Sequence, residues 1–384
     1  AVPFRLLVEG WRFRAHSYAI VNQNQCLHML GREDISLTMR EADGFPQLGP
    51  QIKGSLPESV ESRLQSIRAP RREDEFDAVY RISYPYDFGP SRCERTFVFA
   101  TCERMILKNH QWFYTGRPFA EVIKRNNIKI ITPSRWSKNG FIRSGADAND
   151  ITIVPHGFDP TVFKPLSEQD RDAARKSKGL EGKFVFLSVG AMTGNKNPGV
   201  ILTSFLTVAR EHDNAVLLLK GLNDIYASHY WIARELANFT KQDAAFIRSR
   251  MMYVGETITI AEQAMLYQVA DVYVAPYQSE GFNIPVLEAM ACGLPVIVTD
   301  GGATDDFTTD DFALRVKAEL GDHQHNKEMY FMIDQNSLIE QMFRAIKDDG
   351  FMTPARCLAE QHAHENYTWA KVTDQLIDTL KGKA

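Results

Sequence analysis

Short, continuously apolar runs alternate with longer amphipathic stretches almost throughout the chain, and this alternation restricts its fold more than any other feature. Such runs read as strands buried on both faces, which need helices on either side and crossovers between parallel neighbours. The pattern occurs twice. In the first half the strand candidates are FRLLVEG (4–10), ISLTM (35–39), AVYRIS (78–83), TFVFAT (96–101) and IKIITP (128–133). In the second they are FVFLSVG (184–190), AVLLLKG (215–221), MMYVG (251–255), DVYVAPY (271–277), PVIVTD (295–300) and FALRV (312–316). The polar stretch KPLSEQDRDAARKSKGLEGK (164–183) lacks strand character and separates the halves, and SLPESVESRLQSIRAPRREDEFD (55–77) reads as a surface helix and a loop. A chain of 384 residues has room for two such domains, each with its own core. The expected class is α/β, with two doubly wound, Rossmann-like domains facing a central cleft onto which the carboxyl ends of their strands open.

Composition narrows the functional classes. Apolar residues make up 44% of the chain and charged residues 24%, ordinary values for a globular protein. No apolar run approaches the roughly 18 residues of a membrane span. AVPFRLLVEG runs straight into a strand-like stretch without a basic leader region, so no signal peptide is expected there. The five cysteines (Cys26, Cys93, Cys102, Cys292, Cys357) are scattered and form no CxxC pair, which points to neither a disulfide framework nor a zinc site. A reducing cytoplasm is the expected compartment. Residues 1–165 carry 23 Lys and Arg against 18 Asp and Glu, the remainder 21 against 30. That asymmetry suits an N-terminal half that meets an anionic substrate or membrane face, and gives no support to nucleic-acid binding.

The stretch YQSEGFNIPVLEAMACGLPVIVTDGG (277–302) concentrates the chemistry. After the strand, the chain turns through Gln278–Asn283 and enters a helix near Pro285, a residue suited to the first helical turn, and stops at Gly293. The free N–H groups and dipole of that helix start form an anion site, and Gly281 lets backbone approach a ligand. Glu288, about one turn inside, can accept hydrogen bonds from two adjacent hydroxyls such as those of a ribose. Glu280, in the loop, can do the same for a sugar ring or face positive charge developing on it. Without further context, Glu288 reads equally well as a helix-dipole partner and Glu280 as a solvated loop residue.

Further pieces resolve the choice. EGFNIPVLEAMACGLPVI resembles the Glu-x7-Glu element of the retaining glycosyltransferases of family four, which have the GT-B fold. IITPSRWSKNGFIRSGADANDITIVPHGFDPTVFKP (130–165) is similar to that family's interdomain passage, SVGAMTGNKN (188–197) to its donor loop, and YTWAKVTDQLIDTL (367–380) to its closing helix. The resemblance covers roughly residues 128–384. It implies an acceptor-binding domain over 1–165, completed by a C-terminal helix at 366–384, and a nucleotide-sugar domain over 166–365.

The resemblance implies transfer of a sugar, glucose from UDP-glucose foremost, to a hydroxyl of a glycan or lipid-linked acceptor, as in polysaccharide, lipopolysaccharide or glycolipid assembly. It implies no cofactor and no metal: Lys196, helix N–H groups and the glycines Gly190 and Gly281 would receive the diphosphate. Ala191, Phe282, Asn283 and Ile284 would line the donor, Glu288 would hold the ribose, and Glu280 would face the transferred sugar. The chain departs from the family twice. Ala191 stands where many members carry Arg, with Lys220 or Arg135 as candidate substitutes. No histidine follows the fourth strand until His110, so Glu103 or Thr101 takes the catalytic place in the first domain, with His16 as a second candidate.

For the acceptor, His16, Tyr84 and Thr101 lie in loops that mix side chains able to stack on and hydrogen-bond to sugars. MILKNHQWFYTGRPF (105–119) interleaves basic and aromatic residues, which fits either a membrane surface or packing against its own domain. Gly301, Gly302 and Thr304 are further candidates for lining the donor pocket. Asp305, Asp306, Asp310 and Asp311 read as solvated or capping acids, and the pairs His323/His325 and His362/His364 as surface residues without a third ligand in reach. Three other readings stay open: a sugar-nucleotide epimerase, a phosphorylase, and a nucleotide-sugar-binding scaffold without activity.

Overall fold

The computed structural model describes residues 2–14, 16–43, 51, 54, 56–322 and 326–383. The chain divides into two compact units, one made of Ala1–Gly157 and Tyr367–Ala384, the other of Phe158–Asn366. The division falls at Gly157, ahead of the polar stretch 164–183. That stretch is part of the second unit, where it forms the helix Glu168–Ser177, capped by Ser167 accepting from the Asp170 N–H.

In the first unit six strands form one parallel sheet: β1 (Phe4–Gly10), β2 (Ile35–Glu41), β3 (Ala78–Ile82), β4 (Thr96–Phe99), β5 (Ile128–Thr132) and β6 (Ile151–Ile153). Their order is β2-β1-β3-β4-β5-β6. All pairs are parallel. The sequence places five of these six strands; ITI, three residues long, is too short to stand out by periodicity. On one face, Tyr80 of β3 reaches the helix Ser17–Met29 and bonds Gln25 at 3.2 Å. The C-terminal helix Trp369–Lys381 packs on that same helix, and its Asp374 meets His28 at 2.9 Å and Arg32 at 2.5 Å. The surface helix expected within 55–77 spans Glu58–Gln65.

The second unit holds β7 (Phe184–Val189), β8 (Ala215–Lys220), β9 (Met251–Val254), β10 (Val272–Ala275), β11 (Val296–Thr299) and β12 (Ala313–Val316). They run parallel in the order β12-β11-β10-β7-β8-β9. A core of Phe186, Leu217, Val272, Val274 and Ile297 from the sheet packs against Ile201, Leu202 and Phe205 of the helix Pro198–Glu211. Each such side chain contributes about 1.5–3 kcal/mol by leaving water. At the start of β10, Asp271 is buried and takes Arg171 at 2.7 Å, Arg175 at 3.1 Å and Arg356 at 3.3 Å, while accepting from the Val185 N–H. One carboxylate thus ties two helices to the middle of the sheet. A hairpin that sequence periodicity does not announce follows β12: β13 (Ala318–Asp322) and β14 (Met329–Ile333), antiparallel. His323 and His325 lie outside the described residues.

Candidate active site

In an open parallel sheet, ligands bind beyond the carboxyl ends of the strands where the order reverses. In the second unit that point lies between β7 and β10. The loops that follow these two strands carry Gly190–Lys196 and Gln278–Asn283, so topology alone brings the two quoted motifs together. One backbone and one side-chain bond join them: the Gln278 N–H donates to the Asn195 carbonyl at 2.7 Å, and the Asn195 side-chain Nδ2 donates to the Ser279 carbonyl at 3.5 Å. The result is an ion pair, Lys196 Nζ to Glu280 Oε1 at 2.5 Å, with both side chains largely shielded from solvent. Gly190 makes room for it. Its φ is +156°, and a Cβ there would stand 2.9 Å from Lys196 Cε.

The helix Ile284–Ala291 begins at Asn283, whose φ of 81° is left-handed, with Pro285 in the first turn. It ends as expected, with Gly293 at φ +76°. Asn283 is buried, and neither of its amide atoms has a hydrogen-bond partner among the described residues. Phe282 stacks on Phe307 at 4.4 Å between ring centroids, which fixes the turn from below. Ile284, half-buried, opens the helix. From the hairpin, the Phe331 N–H donates to the Gln278 carbonyl at 2.8 Å, so β14 backs the acidic loop.

Glu288 is buried inside this helix, and its Oε2 accepts from Gln263 Nε2 at 2.9 Å and Tyr267 Oη at 2.8 Å. Desolvation pushes its carboxyl up from the usual 4.5 to about 7, against the opposing pull of the two hydrogen bonds. Among the described residues no donor reaches Oε1. Gln263 and Tyr267 were not singled out by sequence. Their spacing of four puts them on one face of the helix Ile260–Val269, but spacing cannot say what that face meets.

The remaining candidates have the following partners. Lys220 is buried with its ammonium on the carbonyls of Gly221 and Glu256. The Ala191 carbonyl accepts from Ser228 Oγ at 2.5 Å. Thr304 Oγ1 pairs with Tyr277 Oη at 2.8 Å, and Gly302 leaves space for that phenol. Asp305 and Asp310 both pair with Arg315. His364 bonds the Ala291 carbonyl and His362 packs on Phe312.

In the first unit the order reverses between β1 and β3, and the loops after them carry His16 and Tyr84. His16 caps the helix Ser17–Met29 through Nδ1, which accepts from the Tyr18 N–H at 3.2 Å. Burial lowers its imidazole pKa to about 4, so it is neutral near pH 7. Thr101 Oγ1 lies 2.8 Å from Tyr18 Oη and 3.1 Å from Tyr86 Oη, and the two phenols are 2.8 Å apart. Tyr84 meets Tyr86 edge-on at 5.5 Å. His16, Tyr84 and Thr101 therefore converge on one hydroxyl cluster, whose Tyr18 and Tyr86 carry no signal in the sequence. Glu103 is exposed beside it in the chain, and its carbonyl accepts from Trp136 Nε1.

Solved structures share this architecture over its whole length. Sucrose-phosphate synthase of Thermosynechococcus elongatus superposes with a TM-score of 0.71 at 16% identity, covering 98% of each chain. HepE of Anabaena, solved in complex with UDP-glucose, gives 0.69 at 13% identity, covering 98% of this chain and 99% of its own.

The fold is GT-B.

Within this GT-B chain, residues 170–342 match the family model described as glycosyl transferases group 1. Among curated relatives, mannosylfructose-phosphate synthase of Agrobacterium fabrum is 24% identical over 242 residues, 62% of this chain and 49% of that protein. The chain spans about half the length, or less, of most of the curated relatives it matches, and 66% of one of them. Among the described residues no helix is long and apolar enough to cross a membrane.

Proposed function

We propose that the chain is a retaining, metal-independent glycosyltransferase that moves a hexose, glucose foremost, from a UDP-sugar to a hydroxyl of a glycan or lipid-linked acceptor in the assembly of a polysaccharide, lipopolysaccharide or glycolipid. The observation that carries this reading is the meeting of Lys196, Glu280 and the start of the helix Ile284–Ala291 at the switch point of the second sheet. A family match over 170–342 and a structural neighbour solved with UDP-glucose support the donor class.

In this reading Glu288 receives the ribose hydroxyls on Oε1. The diphosphate takes the backbone N–H groups of Gly281, Phe282, Asn283 and Ile284, and draws Lys196 away from Glu280. Gly190 and Ala191 let the opposite loop approach closely. The bond from the anomeric carbon to the β-phosphate oxygen breaks, with the leaving charge met by the ammonium and the helix dipole. The freed carboxylate of Glu280 then faces the transferred sugar as positive charge develops on its ring. An acceptor hydroxyl attacks from the same face, and its proton passes to the departing phosphate oxygen. His16, Tyr84, Thr101 and Glu103 serve the acceptor side.

Two measurements test this. A panel of nucleotide sugars, scored by thermal stabilisation and slow donor hydrolysis, is expected to single out a UDP-hexose. Glu280→Ala is expected to abolish transfer while retaining donor binding, and unchanged turnover in that variant would sink the assignment.

A further inference from the structure

The second face of the first sheet is built differently from the first. Leu7 and Glu9 of β1, Arg40 of β2, and Val79 and Arg81 of β3 point away from the helix Ser17–Met29, because side chains alternate along a strand and Tyr80 takes the helix side. The register aligns Glu9 with both Arg40 and Arg81. Arg81 is buried and donates Nε to Glu9 Oε2 at 2.8 Å, while its remaining nitrogens bond the carbonyls of Asp87, Gly89 and Pro90. Arg40 also pairs with Glu9. These ion pairs form the floor of a cavity of about 560 Å³.

Its rim carries Arg71, Arg72 and Arg92. Among the described residues none of these three guanidiniums makes an ion pair or side-chain hydrogen bond, and the nearby Asp74 is engaged by Arg68 at 2.5 Å. Five arginines thus line one cavity against a single carboxylate that is already shared. The acids Glu41, Asp43 and Asp87 line a second cavity beyond the Arg40–Glu9–Arg81 floor, and Glu73, Asp74 and Glu75 line a third, so neither group of acids lines this one. Like charges held around one concavity repel until an anion enters, and guanidinium forks match phosphate oxygens in pairs.

We infer that this cavity on the face of the first sheet, rimmed by Arg71, Arg72 and Arg92 over the Arg40–Glu9–Arg81 floor, is a binding site for the phosphate group of a ligand distinct from the sugar donor. It lies on a sheet face, with mid-strand Leu7 and Val79 in its wall, and not on the strand-end loops that carry His16, Tyr84 and Thr101. The floor sets its depth, since Arg81 is fixed by four bonds. The rim supplies the binding charge.

The test is titration calorimetry of the full chain with inorganic pyrophosphate at low salt. The variants are Arg71→Ser/Arg72→Ser/Arg92→Ser and, as a donor-loop control, Lys196→Ala. The rim residues are exposed and make no contacts that folding requires, so the triple variant keeps the wild-type melting temperature. Its pyrophosphate affinity is expected to fall at least about tenfold, with weaker binding of the parent at high salt, whereas Lys196→Ala retains this class of site. Cosedimentation with phosphatidylglycerol vesicles separates the sources of the phosphate. Sedimentation lost in the triple variant assigns it to a lipid headgroup, and pyrophosphate binding without sedimentation assigns it to a soluble ligand. Unaltered binding in the triple variant, or loss only in Lys196→Ala, overturns the inference. Because the readout is binding, its failure is separate from any failure of the transferase reading.

Discussion

Replacing Glu288 by Gln should make the protein more stable and a poorer binder of its nucleotide at the same pH. A carboxyl raised from 4.5 to about 7 costs about 3 kcal/mol to ionise in the fold relative to the unfolded chain, at about 1.4 kcal/mol for each tenfold step. The sign follows from proton binding. Between pH 4.5 and 7 the folded state holds the proton that the unfolded state has lost, so stability falls as pH rises through that window. Above pH 7 the whole cost is present, and below pH 4.5 none of it is. Gln is isosteric, keeps polar contacts available to Tyr267 and Gln263, and carries no charge. Glu288→Gln should therefore gain up to about 3 kcal/mol over the parent at pH 8 and almost nothing at pH 4.5. Denaturant titrations of both proteins across that range read the difference directly, and the other titrating groups cancel in the comparison.

UDP-glucose binding should move the opposite way. In the proposed donor site the ribose hydroxyls donate to a carboxylate, so the variant is expected to lose charge-assisted bonds and about tenfold or more in affinity at pH 8. In the parent the proton competes with the ribose, and affinity should fall as pH drops below about 7. Glu288→Gln should show no such slope. A stability gain equal at pH 4.5 and pH 8, or nucleotide binding unchanged in the variant, would refute the reasoning.

Two further outcomes follow from the same loop. Lys196→Met strands the shielded carboxylate of Glu280 and should cost about 1–3 kcal/mol together with donor turnover; adding Glu280→Gln should restore the stability but not the turnover, as a double-mutant cycle by denaturation and hydrolysis assay would reveal. Asn283→Gly relieves a left-handed backbone and removes a buried amide without partners, so the melting temperature should rise by an amount equivalent to about 1 kcal/mol, with altered discrimination among donor hexoses in the same panel.

Much of the architecture was legible because parallel strands buried on both faces write themselves as unbroken apolar runs. FVFLSVG and AVLLLKG can hardly be anything else, and their order with the intervening helices fixes a doubly wound sheet. The elements that escaped were those whose burial is one-sided or brief. AELGD and MYFMI carry mixed faces, since Phe331 is buried against the acidic loop while Leu320 and Met332 are exposed, and no two-residue period stands out. The candidate site divides along similar lines. Glu280, Glu288 and Lys196 are visible because they sit in a dense local motif. Tyr267 and Gln263 are invisible because they reach Glu288 from a helix that reads as ordinary amphipathic packing.

The arginine cavity marks the far end of that scale. Its floor exists only because parallel register sets position 9 beside both position 40 and position 81, and its rim comes from loops before β3 and β4. In the sequence Arg71 and Arg72 belong to a charged segment that reads as solvated surface, the bland and usual meaning of such a run, and Arg92 stands apart from it in the loop before β4. What changes the reading is three-dimensional bookkeeping of partners. Arg68 has Asp74, Arg12 has Glu41 and Arg5 has Asp77, whereas the guanidiniums of Arg71, Arg72 and Arg92 form no ion pair among the described residues, Arg71 meeting Asp74 only through its backbone N–H at 2.7 Å. A unit in which some arginines are matched to acids and three around one concavity form no ion pair has charge arranged for something outside the chain. The same logic singles out the proposed sugar-donor site, where Oε1 of Glu288 has no hydrogen-bond donor among the described residues beside an oxygen that has two.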